Sequence, residues 1–213
     1  MRFKGLRLYF IAMITVLFGG LTALHAETLR IVGFGDSLMA GYQLEKQEGF
    51  PARLQSELIA RGFDVEVIDA GVSGDTTSGG LARLDWSVPE GTDAVILELG
   101  ANDALRGISP EKTRENLEAM IMKLKSRGIK ILLAGIYAPP NMGPAYEADF
   151  NAIHPELAEK HELTLYPFFL DGVTMFPDRL LDDGMHPNAR GIEEMVTRFL
   201  PVAEEFLADL KTP

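Results

Sequence analysis

The chain has 213 residues, enough for one domain with a full core, and at 46% hydrophobic and 24% charged its composition is that of an ordinary globular protein. It has no cysteine, which excludes a thiol nucleophile, cysteine-ligated zinc, disulfides and a lipid-modified N-terminal cysteine. With 31 acids against 20 bases the formal charge is −11. This argues against binding nucleic acid or anionic lipid surfaces through bulk electrostatics and leaves solubility as the role of the charge.

Arg2, Lys4 and Arg7 precede an uncharged apolar run from Leu8 to about Leu24, and Leu24-His25-Ala26 stands before Glu27. A basic start, an apolar stretch and a small exit residue describe a secretory signal peptide over residues 1–26. A retained membrane anchor is the alternative, since the run approaches the length of a short membrane span; Gly19, Gly20 and the small exit residue favour cleavage. Losing the three leader cations takes the formal charge from −11 to −14. The expected mature protein, 27–213, is periplasmic or secreted. It has no stable membrane span once the leader is cleaved.

Beyond the leader, strand-like and helix-like patterns alternate. Leu29 to Phe34 reads as the first strand. Pro51 to Arg61 reads as a helix, with proline in its first turn and Gly62 as its stop. Val65 to Ala70 and Ala94 to Leu99 are β-branched-rich runs bounded by turn residues, hence buried strands. Ser109-Pro110 opens a helix in which Leu117, Met120, Ile121 and Leu124 recur at helical spacing until Gly128. Ile131 to Ile136 is a fourth strand, stopped by Pro139-Pro140. A helix from about Ala145 to His161, kinked at Pro155, leads to a brief strand at Leu163 to Tyr166. The last helix carries Ile192, Met195, Val196, Phe199 and Leu200 on one face. This alternation predicts one α/β domain, a five-stranded parallel sheet covered by helices on both faces. In such sheets sites form outside the carboxyl ends of the strands.

Three polar, glycine-bearing turns follow strand-like runs: Gly35-Asp36-Ser37-Leu38, Gly71-Val72-Ser73-Gly74-Asp75-Thr76 and Gly100-Ala101-Asn102-Asp103. Far downstream stands Asp182-Asp183-Gly184-Met185-His186-Pro187. A serine hydroxyl is a poor nucleophile until a nearby base takes its proton, and that base needs a third group to hold its tautomer. Ser37 alone is most simply a turn former or helix N-cap. Paired with a downstream aspartate and histidine it points to a serine hydrolase. The Gly-x-Ser-x-Gly elbow of α/β-hydrolases is absent, and Gly33-x-Gly35 lacks the third glycine of a dinucleotide loop. His154 and His161, amid Glu156, Glu159 and Glu162, read as solvated helix-surface residues. Two carboxylates and one histidine on one tight turn leave few further ligands for a metal.

Gly-Asp-Ser-Leu, the Ser-Gly-Asp-Thr turn, the Gly-x-Asn-Asp turn and Asp-x-x-His-Pro, in that order, resemble the four blocks of the SGNH (GDSL) hydrolase superfamily. Leu81-Ala82-Arg83-Leu84 and Leu105-Arg106-Gly107 resemble its bacterial periplasmic acyl-CoA thioesterase I / protease I / lysophospholipase L1 branch, which is arylesterase-like. The resemblance covers nearly all of the chain after the leader and implies a flavodoxin-like three-layer α/β/α sandwich. It implies that Ser37 is the nucleophile, that His186 and Asp183 complete the triad, and that Gly74 and Asn102 join the oxyanion hole. The Asp-x-x-His spacing of the family selects Asp183 over its rival Asp182. The oxyanion would then meet the amide N–H of Ser37, that of Gly74 and the side-chain NH₂ of Asn102. Asp36, Asp75 and Asp103 are expected to orient the turns and take no part in the chemistry. Ala101 departs from the family pattern, which has a second glycine before the asparagine, and is expected to stiffen the loop and narrow the groove.

The implied substrates are small acyl esters and thioesters, including aryl and alkyl esters, acyl-CoA and lysophospholipids. No cofactor or metal is called for, and a monomer is expected. Leu105, Ile108 and Pro139, with Pro140, are expected to give the acyl site an apolar lining. A carbohydrate or peptidoglycan O-acetylesterase with the same triad is the alternative, and would have a short, polar acyl site. A silent periplasmic binding module is the rival from another class; it would not need Ser37, His186 and Asp183 together.

Overall fold

A computed structural model describes residues 28–210; the expected leader, 1–26, lies outside the described residues. Five strands, β1 (Leu29–Gly35), β2 (Val65–Gly71), β3 (Ala94–Glu98), β4 (Lys130–Ala134) and β5 (Thr164–Tyr166), form one sheet. Every pairing is parallel and the order is β2-β1-β3-β4-β5. Burial follows from this order. All five residues of β3, in the middle, are buried, whereas edge strand β2 buries Val65 and Val67 and exposes Glu66 between them.

The helices are α1 (Ser37–Ala40), α2 (Phe50–Ala60), α3 (Thr77–Ser87), α4 (Ala101–Leu105), α5 (Pro110–Ser126), α6 (Pro144–Asn151), α7 (Ile153–His161) and α8 (Ala189–Leu210). α2 packs on α8, α3 on α5, and α5 on α7, which gives the helix layers of the expected sandwich. The spacing read for the last helix holds, since Ile192, Met195, Val196, Phe199 and Leu200 are all buried. Phe199 meets Phe50 edge-on at 5.2 Å and Tyr166 at 4.9 Å. Truncating such a core aromatic to alanine costs about 3–5 kcal/mol.

Two elements differ from expectation. The segment 145–161 is two helices, with Ala152 as the joint. Pro155 lacks the N–H that the carbonyl of Asn151 would need, so the break falls upstream of the proline. α3 had no clear signal, because Gly79 and Gly80 depress helix propensity. Both are there for space. A Cβ on Gly79 would collide with Asp75 and one on Gly80 with Leu99.

Strand order reverses at β1, whose successor β2 lies on one side and β3 on the other. A crevice therefore opens outside the carboxyl ends of β1 and β3, where such sheets bind ligands.

Candidate active site

β1 runs into the crevice and ends at Gly35, where any Cβ would collide with the Glu98 side chain and lie 2.7 Å from the Met39 Cβ. Asp36 then caps α1, its Oδ1 accepting the N–H of Leu38 at 3.0 Å. Gly41, at φ 68°, stops the helix after one turn. Ser37 is thus the first residue of a one-turn helix, 8% exposed.

The downstream loop is a local construction. Gly184, at φ 68°, and the bonds Gly184 N–H to Leu181 O (2.9 Å) and Leu181 N–H to His186 O (2.8 Å) make the turn compact. Oδ1 of Asp183 accepts the N–H groups of Met185 (2.8 Å) and His186 (3.0 Å). Its Oδ2 lies 2.7 Å from Nδ1 of His186. A carboxylate there requires the proton on Nδ1, so Nε2 is the acceptor for the hydroxyl of Ser37, 2.8 Å away. The amides of His186 and Met185, followed by the His186 ring, hold the Asp183 carboxyl down at about 2. Asp182 is exposed and makes no bond to the ring. Tyr42 covers one face of the imidazole, ring centroids 4.4 Å apart.

Two further turns complete the crevice. Gly74 has φ 81°, which is what requires glycine there; the space for a Cβ is adequate, with Arg106 Nη2 at 3.7 Å. The same Nη2 donates to the Gly74 carbonyl at 2.7 Å. Asn102 lies on α4, and its Nδ2 donates one hydrogen to Oδ2 of Asp36 at 3.0 Å, leaving a second hydrogen free to point elsewhere. Among the described residues the backbone N–H groups of Ser37 and Gly74 have no acceptor. The left-handed backbone after β3 falls on Gly100, at φ 129°, and Ala101 is the first residue of the helix. Alanine is well suited to that helical position and has less backbone freedom there than the glycine of the family pattern.

A buried network ties these turns together. Arg83, 6% exposed, donates to Asp75 Oδ2 (2.6 Å), to the Ala70 carbonyl (2.8 Å) and to the Gly35 carbonyl (2.8 Å), and its guanidinium lies over the Phe34 ring. Asp103, fully buried, accepts the N–H of Thr77 at 2.8 Å and the hydroxyls of Thr77 and Thr113. Asp36, Asp75 and Asp103 do orient the turns. Burial, ahead of every other influence, pushes the Asp36 carboxyl up to about 6.

Other residues stand differently from their reading in the sequence. His154 and His161 are buried, at 1% and 9% exposure, because α7 turns them inward. His154 Nε2 lies 3.2 Å from the Leu99 carbonyl, and burial lowers its pKa to about 4; His161 pairs with Glu118 at 2.8 Å. Leu105 is exposed at the end of α4, and the Ile108 carbonyl accepts the Tyr146 hydroxyl at 2.7 Å. Pro139 follows Ala138, whose N–H is held by Asn151 Oδ1 at 2.8 Å. Tyr42, Arg83, Glu98 and Arg106 were not singled out from the sequence as site residues. Arg83 and Arg106 lay in the stretches that resemble the thioesterase branch, and Glu98 was an acid inside a run read as a buried strand.

The model of the GDSL-like Lipase/Acylhydrolase family matches residues 34–193, which span the four turns. The chain belongs to this family. Among relatives of this GDSL-like acylhydrolase, an arylesterase of Vibrio mimicus is 40% identical over 92% of this chain and 96% of its own length. The thioesterase 1/protease 1/lysophospholipase L1 of Escherichia coli (strain K12) is 38% identical over 78% of each chain. The crystal structure of AlinE4, an SGNH-hydrolase family esterase, superposes with a TM-score of 0.72 at 45% identity, covering 84% of this chain and 96% of that one. This GDSL-like acylhydrolase is an ester-hydrolysing enzyme.

Proposed function

We propose that ester hydrolysis proceeds through a Ser37–His186–Asp183 acyl-enzyme mechanism. One observation carries the reading, the unbroken chain of contacts from Ser37 Oγ to His186 Nε2 (2.8 Å) and from Nδ1 to Asp183 (2.7 Å). His186 takes the hydroxyl proton as Oγ attacks the carbonyl carbon, and Asp183 stabilises the imidazolium that forms. The oxyanion is received by the N–H groups of Ser37 and Gly74 and the free hydrogen of Asn102 Nδ2. His186 then gives its proton to the departing alkoxide or thiolate. Water repeats the cycle on the acyl-enzyme. A fluorophosphonate probe should label the protein, and Ser37→Ala should abolish both labelling and turnover without unfolding it. A Ser37→Ala protein with most of its esterase activity would end this reading.

The substrate class is drawn from the relatives and from the residues near the crevice. An arylesterase and a thioesterase/lysophospholipase among the relatives support small aryl and alkyl esters, acyl thioesters and lysophospholipids as substrates. Leu105 and Ile108 follow β3, Pro139 follows β4, and all three are assigned to the acyl groove. Each CH₂ buried there is worth about 0.8 kcal/mol, so kcat/KM on p-nitrophenyl esters should rise from acetate to medium chains and then level. A monotonic fall, with good activity on acetylated sugars, would favour the O-acetylesterase instead.

The enzyme acts as a monomer on this reading, since one chain supplies every group named, and it is exported after cleavage of residues 1–26. Among the described residues no helix is long and apolar enough to cross a membrane. N-terminal sequencing of protein released by osmotic shock from a Gram-negative host should start at or near Glu27. A start at Met1 in the membrane fraction would favour an anchor.

A further inference from the structure

The last residue of central strand β3 is an acid that the mechanism does not use. Glu98 is fully buried beneath the nucleophile turn, and its side chain fills the space that a Cβ on Gly35 would need. Its Oε2 accepts the backbone N–H of Asp36 at 3.2 Å. Its Oε1 has no hydrogen-bond partner among the described residues. The charged neighbour is Asp36, also fully buried. Among the described residues no cation bonds to Glu98. Arg83, the buried arginine of this corner, is occupied by Asp75 and by the carbonyls of Ala70 and Gly35.

Two adjacent buried carboxyls without a cation between them do not both ionise, and the proton belongs to the pair. Asp36 accepts two hydrogen bonds, from the N–H of Leu38 and from Asn102 Nδ2, both favouring its anion. Glu98 accepts one. The proton therefore sits on Glu98. Of the other charges facing the pair, His186 on the downstream loop favours the Asp36 anion and Asp75 on the turn after β2 opposes it.

We propose that Glu98 is a positioning residue of the esterase, a carboxylic acid kept neutral that seats the Asp36 amide and so fixes the entry to the nucleophile turn and, through Asp36, the orientation of Asn102. Burial first, and the Asp36 charge second, hold its carboxyl well above the usual glutamate range. With Glu98 neutral, the corner keeps a single negative charge on Asp36, within electrostatic reach of the ring that becomes cationic during catalysis.

The inference rests on Ser37 as nucleophile for its kinetic arm only. Glu98→Gln, which reproduces a neutral acid, should keep kcat close to wild type. Glu98→Met should lower kcat by about 100-fold, as small misplacements of reacting groups do, with KM little changed. The second arm is denaturation of wild type and Glu98→Gln from pH 5 to 8, which needs no turnover. A raised folded-state pKa gives stability that is present below the ordinary glutamate value and is lost as pH rises. The folding equilibrium of wild type should therefore fall behind that of Glu98→Gln as pH rises above the ordinary glutamate value, by up to about tenfold per pH unit until Glu98 ionises in the folded state. A pH-independent difference would mean an ionised Glu98 and overturn the proposal, as would Glu98→Gln as slow as Glu98→Met, or Glu98→Met at full kcat. If Glu98→Met does not fold, the two Glu98→Gln measurements decide. If Ser37 is not the nucleophile, Ser37→Ala stays active while the denaturation arm still reports on Glu98.

Discussion

The two halves of the site are held in opposite ways. Ser37 sits on a turn pinned by partners far away in the sequence. Glu98 and Asn102 reach Asp36 across 62 and 66 residues, and Arg83 reaches the Gly35 carbonyl across 48. His186 is held by its own loop, where Asp183 accepts three bonds from residues two and three positions on. The corner around Ser37 is buried and the downstream loop is largely exposed. Tertiary structure aims Ser37, whereas a local turn aims His186, so damage to each half should look different: lost stability with lost activity in one, mainly lost activity in the other.

The sharpest break is expected in the local half. Asp183→Asn should lower kcat by about ten-thousandfold, the scale for losing the acid of such a triad, with a fall in Tm at neutral pH smaller than that of a substitution in the buried half. Asp182→Asn should be mild, since Asp182 makes no contact with the ring; an exchange of the two results would move the acid role to Asp182. In the long-range half, Arg83→Met strands a half-buried Asp75 and removes the donors to two strand-end carbonyls. A loss of about 3–5 kcal/mol in urea denaturation is expected, together with lost turnover. Arg83→Lys should rescue little, because one ammonium cannot span the four acceptors.

The acid limb of stability separates the halves again. Asp183 has its pKa depressed to about 2, so its contribution is present above the ordinary aspartate value and is lost as pH falls through about 2. Thermal melts from pH 5 to 2 should show wild type losing more than Asp183→Asn; parallel curves would deny the loop its own electrostatic stabilisation. The smallest effect is expected at Tyr42, whose ring covers the imidazole. An aromatic contact of this kind is worth about 0.5–1.5 kcal/mol, so Tyr42→Ala should lower kcat/KM by about tenfold or less with KM nearly constant.

The same division explains what could be read from the sequence. Asp-x-x-His on a glycine turn is a short-range pattern; the residues left Asp182 and Asp183 both within reach of His186, and the family resemblance selected Asp183. Alternation and strand punctuation gave the parallel sheet, because β-branched runs and stop residues are local as well. Arg83 was invisible as a brace, since its acceptors come from β1, β2, the turn after β2 and α3, which meet only in three dimensions. α3 was hidden by Gly79 and Gly80, whose reason is room for Asp75 and Leu99. His154 and His161 looked like surface residues because charged neighbours surround them in sequence, but α7 turns them toward Leu99 and Glu118.

All five strands point the same way, so the crevice lies at one end of the sheet and everything that enters β1 does so from the other. Leu29 pairs with Val65 at that far end, and α8 returns there, with Leu210 lining a groove beside Lys130 and Thr164 at the starts of β4 and β5. Both ends of the folded body therefore open away from the reacting groups. A surface, a resin or a fused partner attached through either end would present the crevice outward to bulk solution. Kinetics on small esters should be indifferent to which end is tethered.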